Sequence, residues 1–110
     1  MGFLDLFFRT DINAGVKQCQ GDPAGVLLDV RTKEEYAHRH IPGSKNLPLQ
    51  EISRAEEVFP QKDTPLYVYC YSGARSGKAI SHLKQMGYTR VNNIGGLKGY
   101  QGTLKEGEDA

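Results

Sequence analysis

The chain has 110 residues, close to the commonest size for one domain and too short for two. Apolar residues make up 38 % and charged residues 25 %, the balance of a folded globular protein rather than a disordered one. Fourteen Lys and Arg against thirteen Asp and Glu leave a net charge of +1 with no basic block, which argues against general nucleic-acid binding.

No apolar run approaches the roughly 18–20 residues that cross a bilayer, so no membrane span is expected. Two cysteines allow at most one disulfide and are too few for a four-cysteine zinc site. The core must therefore come from packing, and the cysteines are free for chemistry.

Met1 to Phe8 (MGFLDLFF) is apolar but has no basic leader, is broken by Asp5 and carries no small-residue cleavage site. Gly2 does not open a myristoylation signal, because Leu6 stands where Ser or Thr is needed. Residues 1–10 read as an amphipathic start docked on a domain spanning 11–104, and a cytoplasmic location is the default expectation. Residues 105–110 (KEGEDA) are short and acidic, and are expected to fray.

Within the domain, strand-like and helix-like segments alternate. Val26 to Val30 (VLLDV) is a compact apolar run between Gly25 and charges, as for a strand buried on both faces. Thr32 to His38 opens with an N-cap residue followed by Glu34 and Glu35, which favour a helix start. Ile41 to Pro48 is punctuated by Pro42, Gly43 and Pro48 and reads as a turn with at most a short strand. Gln50 to Phe59 predicts a helix with Ile52, Ala55 and Phe59 as its apolar stripe, stopped by Pro60.

Leu66 to Cys70 (LYVYC) is the strongest strand, aromatic and β-branched. Ser76 to Met86 predicts a helix that buries Ala79, Ile80, Leu83 and Met86 and ends at Gly87. Arg90 to Ile94 makes another strand, and Gly95-Gly96 leads into a final helix around Leu97 to Leu104. Strands and helices alternating on short loops point to an α/β fold with a mainly parallel sheet flanked by helices on both faces. Ligands in such sheets bind beyond the carboxyl ends of the strands.

That rule leads to Cys70-Tyr71-Ser72-Gly73-Ala74-Arg75-Ser76. Cys70 ends the best strand, and Arg75 sits just before a helix. Gly73 allows backbone angles that other residues resist, so a tight loop here can aim several N–H groups inward as an anion nest. The helix start adds unpaired N–H groups and the positive end of its dipole. Such surroundings lower a thiol pKa below its ~8.5 reference and favour the thiolate. Arg75 can fix the loop or present a fork of donors to an oxyanion.

Cys19 lies in a helical-looking stretch with no such neighbours and reads as a packing residue. A nucleotide P-loop fails: Gly73 to Lys78 is one residue short of the required spacing, and Ala79 replaces the magnesium-holding Ser or Thr. His38, His40 and His82 are too scattered for a ligand set and read as surface or packing residues. No metal site is expected.

The chain resembles a single-domain rhodanese from about Asp11 to Leu104. Leu28-Asp29-Val30-Arg31 with Glu35-Tyr36 matches the first signature of that family. His40-Ile41-Pro42-Gly43-Ser44 with Asn46-Leu47-Pro48 matches the second, and Cys70 to Arg75 matches the active-site loop. Gly95-Gly96 and Tyr100 fall where the family has two glycines and then a tryptophan. Arg39 stands where a glycine commonly occurs, and Tyr100 replaces the tryptophan; both departures are expected to concern packing.

The resemblance implies sulfur transfer. Cys70 would take a sulfane sulfur from a donor such as thiosulfate, polysulfide, glutathione persulfide or a protein persulfide. The resulting persulfide would be held by N–H groups of Tyr71 through Ser76 and passed to cyanide, a thiol or a protein cysteine. No metal, nucleotide or organic cofactor is implied. Asp29, Arg31 and Glu35 are expected to support the site as a structural network tying the first strand to its helix, with an active-site acid at Asp29 as the alternative.

Two rivals stand beside this reading. Related folds hydrolyse phosphate esters with a larger Cys and Arg loop, whereas four residues separate Cys70 from Arg75 here. A carrier or interaction module would relay the same persulfide sulfur to a partner protein with little free turnover.

Overall fold

A computed structural model describes residues 11–107. The proposed N-terminal amphipathic start and residues 108–110 lie outside the described residues. Helix α1 (Ile12–Gln20) is capped by Asp11, whose carboxylate accepts the Asn13 N–H. Strand β1 (Val26–Asp29) follows, then helix α2 (Lys33–His38), the two-residue strand β2 (Lys45–Asn46), a 3-10 segment (Leu49–Arg54) and helix α3 (Ala55–Val58). Strand β3 (Leu66–Cys70), helix α4 (Ala74–Gln85), strand β4 (Val91–Gly96) and a 3-10 turn (Leu97–Gly99) complete the order.

All strand pairs are parallel, in the order β2-β1-β3-β4. The two central strands are β1 and β3, which is why their sequences are almost wholly apolar. Alternation along β3 divides the core. Leu66, Val68 and Cys70 face one side with Leu28, Val30, Ile52, Ala55, Phe59, Ala79 and Leu83. Tyr67 and Tyr69 face the other with Ile12, Val16, Cys19, Leu27, Ile41, Ile94 and Leu97. Helices α3 and α4 thus cover one face and α1 the other, the layered α/β arrangement expected.

Thr32 forms a full capping box: its hydroxyl accepts the Glu35 N–H at 3.1 Å, and the Glu35 carboxylate accepts the Thr32 N–H at 3.0 Å. The single helix expected over Gln50 to Phe59 is instead a 3-10 segment running into α3, with a break at Glu51. Leu49, Ile52 and Ala55 recur every third residue, the 3-10 repeat, so this winding still turns all three toward the core.

Helix α4 starts two residues earlier than expected, which places Arg75 and Ser76 in its first turn. The final helix is also shorter. Only Leu97–Gly99 winds. Asn13 takes the backbone groups that would have continued it, donating to the Gly99 carbonyl at 2.9 Å and accepting the Gln101 N–H at 2.8 Å. The start of the expected frayed tail is tied down. Lys105 and His40 exchange both backbone hydrogen bonds, at 2.9 and 2.8 Å, and Gly107 N–H reaches the Ala37 carbonyl.

Candidate active site

Cys70 is the last residue of β3, and the chain turns at once from strand into helix. The turn is made by Gly73, whose φ of 100° is left-handed and strained for any residue with a side chain. Its N–H points back and donates to the Cys70 sulfur at 2.9 Å. Ser76, one turn on and fully buried, places its hydroxyl 3.5 Å from the same sulfur. The glycine pair ending β4 makes room for the loop. A Cβ at Gly96 would lie 2.2 Å from the Tyr71 carbonyl oxygen, so only glycine fits. That carbonyl accepts the Lys98 N–H at 3.1 Å, which fixes the loop to the 3-10 turn after β4.

These donors decide the state of the sulfur. Burial pushes the Cys70 thiol up, but the Ser76 hydroxyl and the N–H groups of Ser76, Gly73 and Ser72 outweigh it and hold the thiol below its ordinary value. Cys19 is the internal contrast. Burial, with Asp22 adding repulsion, pushes it up to about 11. Both cysteines are unpaired. The donors favour the thiolate at Cys70, whereas burial disfavours it at Cys19.

Arg75 does not present its fork to the loop interior. Both nitrogens are taken by Glu35, Nη1 to Oε1 at 2.6 Å and Nη2 to Oε2 at 3.0 Å. The Arg75 guanidinium, with the capping contacts of Thr32, holds the Glu35 carboxyl down at about 2. Glu35 therefore ties α2 to the loop, a link beyond the strand-to-helix network expected from sequence. Asp29 and Arg31 do form that network. Arg31 Nε and Nη2 lie 2.7–3.1 Å from the Asp29 carboxylate, and Nη2 also donates to the Arg39 carbonyl at the end of α2.

Tyr71 and Ser72 are exposed on the rim, Tyr71 at 52 %, and Ala74 opens α4. His40 is buried and stacks on Tyr36 with ring centroids 3.8 Å apart, while His38 and His82 are exposed. Arg39 is exposed and adopts extended backbone that any residue tolerates, and Tyr100 packs against the α1 side of the core. Among the described residues, no group of three His, Cys, Asp or Glu side chains lies close enough to hold a metal ion. No helix of the described residues is long and apolar enough to cross a membrane.

Nothing in the sequence points to Asn93. Its amide accepts the Gly95 N–H at 3.0 Å and reaches both Ser76 and the Gly73 carbonyl, at 2.7 and 3.2 Å. An Asn in a strand carries no motif, and only the pairing of β3 with β4 brings it to the loop.

Comparison with known proteins agrees with this geometry. Residues 13–103 match the Rhodanese-like domain. Thiosulfate sulfurtransferase PspE of Escherichia coli is 44 % identical over 72 residues, covering 64 % of this chain and 69 % of that protein. The adenylyltransferase and sulfurtransferase uba4 of Ogataea parapolymorpha is 40 % identical over 88 residues, 79 % of this chain but 23 % of that longer protein. The solved structure of a rhodanese with anions from E. coli superposes with a TM-score of 0.70 at 39 % identity, covering 76 % of this chain and 99 % of that one. With a parallel sheet that delivers a cysteine into a nest of N–H donors, and with these relatives, the chain belongs to the rhodanese-like family and is a sulfurtransferase of that type.

Proposed function

We propose that the chain moves a sulfane sulfur from a donor such as thiosulfate to a thiophilic acceptor through a persulfide on Cys70. The observation that carries this reading is the Gly73 N–H held 2.9 Å from a sulfur whose pKa is depressed despite burial. The Cys70 thiolate attacks the outer sulfur of thiosulfate. The bond between that sulfur and the sulfonate sulfur breaks, and sulfite leaves with the bonding pair. Cys70 then carries a persulfide anion whose charge the loop donors stabilise, as electrostatic preorganisation requires.

Cyanide, a small thiol or a partner protein's cysteine attacks the outer sulfur in turn. The sulfur–sulfur bond breaks toward Cys70 and the thiolate is regenerated. Electrons and atoms balance without a metal, nucleotide or organic cofactor. A cytoplasmic setting suits this chemistry, since a reducing compartment keeps a reactive thiol such as Cys70 available between turnovers.

Phosphate-ester hydrolysis fits the site less well. The loop is one residue shorter than a phosphatase loop, and the Arg75 fork that would clasp a phosphate is occupied by Glu35. A relay to a partner protein is the second reading. It is favoured by the match to uba4, where the matched segment is a minor part of a longer chain, and by the exposed Tyr71 on the rim.

The test is intact mass spectrometry after incubation with thiosulfate, polysulfide or glutathione persulfide. The expected result is a gain of one sulfur atom on the parent and on Cys19→Ser, and none on Cys70→Ser. Comparing turnover with cyanide against transfer to a protein thiol separates free catalysis from relay. Phosphatase activity in the parent that disappears in Cys70→Ser would overturn the proposal.

A further inference from the structure

We propose that Asn93 is a positioning residue for sulfur transfer: its one amide holds Gly73 and Ser76, which both place donors against the Cys70 sulfur, onto the end of β4. The proposal rests on the sulfurtransferase reading above and names a residue outside the Cys70–Ser76 loop.

The amide orientation follows from its partners. The Gly95 backbone N–H, which can only donate, lies 3.0 Å from one terminal atom of Asn93, so that atom is the oxygen. The nitrogen then faces the Gly73 carbonyl at 3.2 Å. Hydrogen-bond accounting places the Ser76 proton as well. The Gly73 carbonyl already accepts the Gly77 N–H at 3.1 Å and the Asn93 nitrogen, which fills its two lone pairs. The shortest acceptor left to the Ser76 hydroxyl is the Asn93 oxygen, at 2.7 Å, against 3.5 Å to the sulfur.

With Cys70 as a thiol, Ser76 donates to Asn93 and its oxygen faces the S–H. With Cys70 ionised, the hydroxyl turns to the sulfur, and Asn93 keeps the Gly95 N–H.

Removing the amide changes two things. The Ser76 proton gains an equivalent resting place on the Gly73 carbonyl, 3.0 Å away, so its choice between oxygen and sulfur changes little. The tie from β4 to Gly73 and to the Ser76 oxygen is lost outright. Gly73 has no side chain of its own to hold its left-handed turn, so the donors to the sulfur loosen. The thiolate is then disfavoured by about the size of one net hydrogen bond.

The experiment follows the rate of iodoacetamide alkylation against pH in a Cys19→Ser background, where Cys70 alone reports. Asn93→Ala is expected to raise the midpoint by about half to one pH unit, the equivalent of one hydrogen bond. Persulfide loading at neutral pH is expected to slow several-fold. In Ser76→Ala, where Asn93 has one group fewer to hold, the same substitution is expected to shift the midpoint less. Asn92→Ala, at an exposed position on the same strand, is expected to leave it unmoved.

An unmoved or lowered midpoint in Asn93→Ala overturns the proposal. If that variant does not fold, Asn93→Ser, which keeps an acceptor but loses the amide donor, carries the same test. Alkylation needs no sulfur donor. A parent that never loads sulfur would therefore refute the sulfurtransferase reading while leaving this test intact.

Discussion

Glu35 and Arg75, 40 residues apart in sequence, meet through both carboxylate oxygens, at 2.6 and 3.0 Å. The same carboxylate closes the capping box with Thr32. One side chain thus stops the α2 backbone from fraying and anchors the first turn of α4, so the start of one helix sets the position of the other.

Glu35→Gln is expected to keep the cap but lose the ion pair. Each side chain is about a third exposed, so after discounting for solvent screening the pair contributes about 0.5–1 kcal/mol. The folded carboxyl lies at about 2, below its ordinary 4.5. The stabilisation is therefore complete above the unfolded value and is lost as pH falls from about 4.5 toward about 2. Urea melts across that range are expected to fall less steeply with acid for Glu35→Gln than for the parent. Identical acid slopes would show that the pair adds nothing to folding.

The two cysteines are expected to separate cleanly. Cys70→Ser abolishes sulfur transfer with an unchanged fold, and Cys19→Ser retains most activity. Alkylation of Cys70 is expected at pH values where an ordinary thiol is protonated, while Cys19 stays inert until about pH 11 unless the protein unfolds. A Cys70 midpoint near ~8.5, the free-thiol reference, would contradict the donor geometry.

Gly96→Ala tests the loop's seat. The added methyl would lie 2.2 Å from the Tyr71 carbonyl oxygen and 2.7 Å from the Ser72 Cα, so the loop must move. Activity is expected to fall by roughly a hundredfold, the scale of a small misplacement of reacting groups. Stability is expected to drop by about 1–3 kcal/mol, the usual cost of overpacking. Full activity would mean that the loop tolerates displacement.

Loop size is tested by inserting one glycine between Gly73 and Ala74. The ring of donors widens, and donors help only within roughly 2.7–3.1 Å of the developing charge. Thiosulfate turnover is expected to drop sharply. Slow hydrolysis of an aryl phosphate is expected in the insertion variant and none in the parent.

Much of this architecture is legible in residue order, because burial speaks through periodicity. Leu66 to Cys70 reads as a central strand since both its faces are apolar, and the helix after Gly73 follows from Ala79 and Leu83. What escapes is set by contacts distant in sequence. The last helix fails because Asn13 captures the Gly99 and Gln101 backbone. The tail is held because His40 offers it a strand-like edge.

At the site, Cys70 and its loop are local and readable. The engagement of Arg75 by Glu35 and the reach of Asn93 are products of folding, invisible to spacing. Arg75 reads in sequence as either fixing the loop or presenting its fork to an oxyanion, and folding gives that fork to Glu35.

The position of Cys70 at the end of a strand whose five residues are all buried also divides the site by opening energy. Amides along β3 are expected to exchange with solvent only through large openings of the domain, whereas those of the exposed Tyr71 and Ser72 are expected to exchange more readily. Cys70 thus stands on a fully buried strand beside an exposed rim, while its donors at Gly73 and Ser76 are held to β4 by Asn93. A persulfide on Cys70 would then meet its acceptor at that rim, through motion of the Tyr71 and Ser72 side chains rather than of the sheet or the donors.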